Sequence, residues 1–224
     1  MLKYFTLNTI LEWLCFLIAC ICLIKDRNLV WRSMIILLLL TCITETTGIY
    51  IRNLYMADPV NIAPNVWVYN ILLIFQAGFI SAMFASLLKE YLNATPMILL
   101  GLVLLAVLYV YEVFTHGVFK KHTLTTIVMS VLFVIYSFYY FYNLLKDERY
   151  VNLKYSPAFW WVVGILFFYF GAITINLFYE KIRDLIVTPK RYITYIFYVL
   201  NMILYACMSY SFICKKWLTK TSET

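Results

Sequence analysis

The chain has 224 residues, of which 64% are hydrophobic and only 13% charged, and its mean hydropathy is +0.84; a soluble domain is about 45–50% apolar and about 25% charged. That gap excludes a soluble globular enzyme, a disordered tail and a secreted disulfide scaffold, and leaves an all-α integral membrane protein. The net charge of +7 is scattered over short loops, so no basic patch for nucleic acid forms, and Lys and Arg beside anionic lipid account for it.

A bilayer core about 30 Å thick needs about 20 apolar residues of helix. That template predicts a first span over 6–24. Lys3 precedes it, and Leu17-Ile18-Ala19-Cys20 looks like a lipoprotein cleavage box. Glu12 interrupts the apolar stretch, however, and further spans follow, so the segment reads as a retained helix. After Lys25-Asp26-Arg27-Asn28 the second span is expected over 29–53. A turn-rich link with Pro59 and Pro64 leads to a third over 66–88. The fourth, fifth and sixth are expected over 96–114, 124–145 and 157–179, and the seventh over 192–214. A short basic cytoplasmic tail, 215–224, follows. The connections are too short to hold a folded extramembrane domain, so 1–224 is one seven-helix transmembrane domain. Long apolar runs rather than alternation exclude a β-barrel.

Orientation rests on Lys and Arg counts. With the N-terminus outside, ten of the 18 fall on the inner side and eight on the outer. That bias and the basic tail predict N-out, C-in. Spans 1 and 5 open with Leu7-Asn8-Thr9-Ile10 and Leu124-Thr125-Thr126-Ile127 and close with Lys25-Asp26 and Lys146-Asp147. Trp31 and Trp160 stand near the starts of spans 2 and 6, and Asn70-Ile71-Leu72-Leu73 in span 3 answers Asn201-Met202-Ile203-Leu204 in span 7. The pattern suggests a 3+1+3 parallel repeat, a plan used by small transporters.

Ionisable groups inside spans cost roughly 2.5–3.5 kcal/mol on insertion scales and point to function. Glu12, Glu45 and Glu112 qualify, with the amides Asn70, Gln76, Asn176 and Asn201. Nearly all fall in the half of the bilayer nearer the N-terminus; Asn143 lies at the opposite end. Helical spacing puts Thr41, Glu45, Gly48 and Arg52 on one face of span 2, Asn8, Glu12, Cys15 and Ala19 on one face of span 1, and Tyr198, Asn201, Tyr205 and Met208 on one face of span 7. These patterns predict a polar ligand or ion pocket between helices 1, 2, 3 and 7, formed by Glu45, Glu12, Asn70, Gln76, Asn201 and Arg52, with Glu45 within reach of Asn70 or Asn201. The bland reading of the amides is helix bridging, and Glu112 and Asn176 fit an interfacial position. Gly164 and Gly171 suit close helix packing.

Cys15, Cys20, Cys22, Cys42, Cys207 and Cys214 all lie in or at the ends of apolar runs with no C-x-x-C spacing, so free thiols are expected rather than disulfides or zinc ligands. Span 7 has no interior Lys for a retinal Schiff base, and His116 and His122 share one loop, which rules out a three-histidine zinc site. A phosphate-binding glycine loop, a Ser–His–Asp set and an arginine ladder are also missing. No enzymatic activity, cofactor or metal is expected.

Four short elements carry a resemblance: Glu45-Thr46-Thr47-Gly48-Ile49-Tyr50, Trp67-Val68-Tyr69-Asn70-Ile71, Pro157-Ala158-Phe159-Trp160 leading to Phe168-Tyr169-Phe170, and Leu200-Asn201-Met202-Ile203-Leu204-Tyr205. Together they resemble a group of small seven-helix inner-membrane proteins of Bacteroidota-type bacteria. The chain is more loosely similar to the seven-helix sensor portions of bacterial histidine kinases, from which it departs by having no kinase domain after Cys214. The resemblance implies a bacterial inner-membrane location and adds weight to Glu45, Asn70 and Asn201. The leading expectation is a ligand-sensing or accessory module. Its partners would be the lipid bilayer, an unknown small ligand and a cytoplasmic or membrane protein that reads the helix packing. The alternative is a small-solute or proton-coupled transporter using a buried carboxylate, and an enzyme acting on lipid ranks third.

Overall fold

Seven α-helices run through the computed structural model, which describes residues 6–91, 93–147, 152–185 and 189–218, with the side chains of 178–194 and 218 outside that description. They are α1 (Leu7–Leu23), α2 (Leu29–Ala57), α3 (Val66–Leu88), α4 (Thr95–His116), α5 (Thr123–Lys146), α6 (Pro157–Leu185) and α7 (Pro189–Ile213). Local chemistry sets their ends. The Thr6 hydroxyl accepts from Thr9 N at 3.3 Å to start α1, and Asn28 Oδ1 accepts from Val30 N and Trp31 N to start α2. Pro96 sits in the first turn of α4, where a missing N–H costs nothing. The α4 helix stops at Gly117, whose φ of 77° is the left-handed region glycine tolerates.

Several helices run past the spans that hydropathy predicts: α2 continues to Ala57, α6 to Leu185, and α7 begins at Pro189. Apolar content marks where lipid ends, whereas the backbone ladder continues until something stops it. For α2 the stop is Asp58, next to Pro59. Asn61 bonds the Asp58 carboxylate through its side-chain amide (2.9 Å) and its backbone N–H (3.3 Å), which holds that carboxyl below its ordinary range. Cys214–Leu218 prolongs α7 as a π-helical turn; residues 219–224 of the expected tail lie outside the described residues.

Six helices, all but α1, contain stretches long and apolar enough to cross a membrane. The 17 residues of α1 rise only about 26 Å, yet its faces are sharply divided. It exposes Leu7, Ile10, Leu14, Leu17 and Ile21 at spacings of three and four, and buries Thr9, Glu12, Cys15, Ala19 and Cys22. In water such a polar-in, apolar-out helix would be inverted. The molecule is a multi-pass helical membrane protein.

Each helix packs on its chain neighbour, and α1 also packs on α7. Contact of α3 with α5 closes a six-membered ring, α1–α2–α3–α5–α6–α7, and leaves α4 outside it against α3 and α5. Gly164 and Gly171 make the α6–α7 contact close: a Cβ on Gly164 would stand 2.9 Å from Cys207 Cβ, and one on Gly171 2.6 Å from the Leu200 methyls. All six cysteines are free thiols.

Candidate functional site

A cavity of ≈ 190 Å³ opens inside the ring, in the half nearer the N-terminus. It is built one element at a time. From α1, Asn8 and Glu12, one turn apart, face it; from α2 come Leu37, Leu38, Thr41 and Glu45. The first turns of α3 supply Tyr69, Leu72 and Gln76, and α7 supplies Asn201, Leu204, Tyr205 and Met208. The sixth helix, absent from the sequence-based pocket, adds Ile165, Phe168 and Tyr169.

Each carboxyl group in the cavity takes a tyrosine hydroxyl. Tyr205 Oη donates to Glu12 Oε1 at 3.3 Å, joining α7 to α1, and Tyr69 Oη donates to Glu45 Oε2 at 3.0 Å, joining α3 to α2. Glu12 is only 5% exposed, and its second oxygen, Oε2, has no hydrogen-bond partner among the described residues. The Asn8 Oδ1 atom is likewise buried without a partner there. Glu45 is half-buried, and the two carboxyl groups are within electrostatic reach of each other. No Lys, Arg or His is among the described residues that line the cavity.

Gly48 makes the Tyr69 bond possible. A Cβ there would lie 2.5 Å from Tyr69 Oη and 2.9 Å from its Cζ, so the ring occupies the space a side chain would take. The Gly48 carbonyl also accepts from Asn65 Nδ2 at 2.9 Å, which fixes the start of α3 against α2.

The cavity has a floor. One turn farther from the N-terminal side, its lining helices present Cys15, Met34, Phe84, Trp161 and Phe212, none more than 1% exposed. Phe84 packs edge-on against Trp161 (centroids 5.2 Å apart) and Tyr136 (5.6 Å). Tyr169 ties the cavity wall to this cluster through Phe133 at 4.9 Å.

Of the six residues expected to form the pocket, Glu12, Glu45, Gln76 and Asn201 line it, and Asn70 and Arg52 do not. Asn70 is committed to the α4–α5 loop: its Nδ2 donates to Val118 O (2.8 Å) and Lys120 O (2.9 Å), and its Oδ1 accepts from His122 N (3.4 Å). It borders a separate cavity with Lys121 and Thr126, of which Tyr69, Leu72 and Gln76 form the partition. Arg52, one turn beyond Gly48, is exposed in the last turns of α2, outside the cavity lining but within electrostatic reach of Tyr69. Glu45 therefore pairs with a tyrosine rather than with Asn70. Glu112, one turn from the end of α4, is buried and does not line the cavity. Its carboxylate accepts from Leu124 N (3.0 Å), Thr125 N (2.9 Å) and Thr125 Oγ1 (2.6 Å), capping α5 from the neighbouring helix. Asn143 and Asn176 bond carbonyls one turn back in their own helices.

Sequence reasoning missed Tyr69 and the α6 wall. The Tyr69 signal was present: four residues before the end of one helical face, Gly48 opens a gap that some large side chain must fill. Comparison with family models, with curated proteins and with solved structures gives no match for this chain.

Proposed function

We propose that the protein is a ligand-sensing or accessory module of a bacterial inner membrane. In this reading α1 is a seventh span, the N-terminus lies outside and the C-terminus inside. A small ligand enters the cavity and shifts the packing of α1, α2, α3, α6 and α7. The observation that carries the proposal is the floor: side chains packed without exposure beneath the cavity support binding from one side rather than a through-path. The output would leave through α7, which bonds Glu12 at the cavity and holds α1 again at its far end, where Lys216 Nζ donates to Ile21 O at 2.7 Å. A partner protein at that end would read the shift.

Transport is the second reading. The position of α4 outside the ring, where the linker of a 3+1+3 plan would lie, favours it. Access separates the two. Thr41 lines the cavity, and its hydroxyl donates within its own helix, to Leu37 O, so Thr41→Cys is a mild substitution. A membrane-impermeant thiol reagent should label that variant above the parent level in right-side-out cells and not in inside-out vesicles. Labelling from both sides would favour alternating access and replace the sensor reading.

A further inference from the structure

The cavity sets its own requirement for an occupant. Its acidic groups leave acceptors to be met: Glu12 Oε2 and Asn8 Oδ1 are buried without partners among the described residues, and the Glu45 carboxyl adds further lone pairs, while the side-chain amides of Asn8, Gln76 and Asn201 supply neutral N–H donors but no charge. Among the described residues the hydroxyl donors bonded to the carboxyl groups, Tyr205 and Tyr69, are spent on Glu12 Oε1 and Glu45 Oε2. With two carboxyl groups and no cationic side chain among the described lining residues, the occupant that complements the wall is one that brings positive charge together with N–H or polarised C–H groups.

The rest of the wall narrows the class. Tyr69, Phe168, Tyr169 and Tyr205 bring four aromatic rings to the wall of the cavity, two of them bonded to the carboxyl groups through their hydroxyls. Aromatic faces attract ammonium groups, most strongly where water is excluded. A hard metal ion would instead need several oxygens at short bond lengths, and here the two carboxyl groups stand on different helices, each already holding a tyrosine. The ≈ 190 Å³ volume is a little larger than a cavity of about 150 Å³ that holds benzene, a size that suits a small amine.

We propose that this site binds a small organic ammonium ion, with Glu12 as its buried carboxyl anchor, held ionised by the bound cation, Glu45 as the second carboxyl, and the tyrosine and phenylalanine side chains as the rest of the wall. The inference rests on the reading that this cavity is the ligand site, and the experiment separates the two.

The Thr41→Cys variant in nanodiscs is treated with three methanethiosulfonates: one carrying trimethylammonium, one carrying sulfonate, and the small neutral methyl reagent. Rates are divided by those with a free thiol in solution. The ammonium reagent should then exceed the sulfonate by about tenfold or more, which is about 1.4 kcal/mol of discrimination. Tetramethylammonium chloride should slow labelling by the neutral reagent, and sodium chloride at the same ionic strength should not. Glu12→Gln should remove most of both effects; the protection assay on Thr41→Cys alone keeps the test decisive if that variant misfolds. Equal normalised rates for the charged reagents, or equal protection by sodium, would overturn the ammonium assignment and leave the cavity as a ligand site. Failure of all three reagents to label would overturn the ligand-site reading itself.

Discussion

Glu112 holds together a corner that the membrane helices alone do not. Its carboxylate takes three hydrogen bonds from the first residues of α5, two from backbone N–H groups that otherwise face the end of the helix unpaired. The His122 side chain at the N-cap makes no capping bond, so Glu112 is the cap of α5. Hydrogen bonds to a charged acceptor contribute about 1.5–3 kcal/mol each, and loss of a cap costs about 1 kcal/mol. Water at the bilayer edge reaches part of the vacated site, so the three do not sum fully, and Glu112→Ala should cost about 3 kcal/mol. Glu112→Gln keeps one carbonyl oxygen for Thr125 but turns an N–H₂ toward Leu124 N, and should cost about half as much. The assay is unfolding by increasing sodium dodecyl sulfate from dodecylmaltoside micelles, followed by tryptophan fluorescence. A protease that cuts near Gly117–Lys121 should cleave the Ala variant faster, because the loop loses an anchor. Labelling of Thr41→Cys should stay unchanged, since Glu112 does not line the cavity. An Ala variant within about 0.5 kcal/mol of the parent, the range of ordinary surface changes, would refute the capping argument.

Asn70→Ala removes the opposite clamp on the same loop and should lose about 2 kcal/mol. Combined with Glu112→Ala the loss should be smaller than the sum, because both hold residues 118–125; strict additivity in the same assay would show that the clamps are independent. Gly48→Ala should preserve folding but displace the Tyr69 hydroxyl and break its bond to Glu45. The Thr41→Cys labelling rate should change severalfold, and an unchanged rate would mean Tyr69 does not shape the cavity. For topology, a reporter active only in the cytoplasm and fused after Thr224 should work. Activity of a periplasmic reporter there instead would reverse the orientation and put the cavity mouth on the cytoplasmic side.

Periodicity made much of this legible. Asn8 and Glu12 could be placed on one face of α1, Thr41 and Glu45 on one face of α2, and Asn201 and Tyr205 on one face of α7, because a 3.6-residue repeat leaves no freedom about which residues line up. Depth could be read as well, since each helix begins at a recognisable loop. What a single helix does not encode is the direction its polar face points once neighbours pack. Asn70 sits at the right depth on α3, yet it is rotated toward the α4–α5 loop, where three unpaired backbone groups needed it. Glu112 was diverted in the same way by the start of α5. Tyr69, one residue before Asn70, faces the cavity because successive helical residues point about 100° apart. The α6 wall was hidden for another reason: Ile165, Phe168 and Tyr169 are as apolar as lipid-facing residues, and only the closure of the ring tells inside from outside.

The bond between Glu12 and Tyr205 joins residues 193 positions apart in the chain. At about 5–20 residues per second of synthesis, the first helix waits about 10–40 seconds for the last one. Throughout that interval the carboxyl group of Glu12 is without the hydroxyl that will hold it. In the proposed seven-span topology, newly made α1 gains from staying where water or the insertion machinery can solvate Glu12, and the arrival of α7 supplies the partner that ends that need.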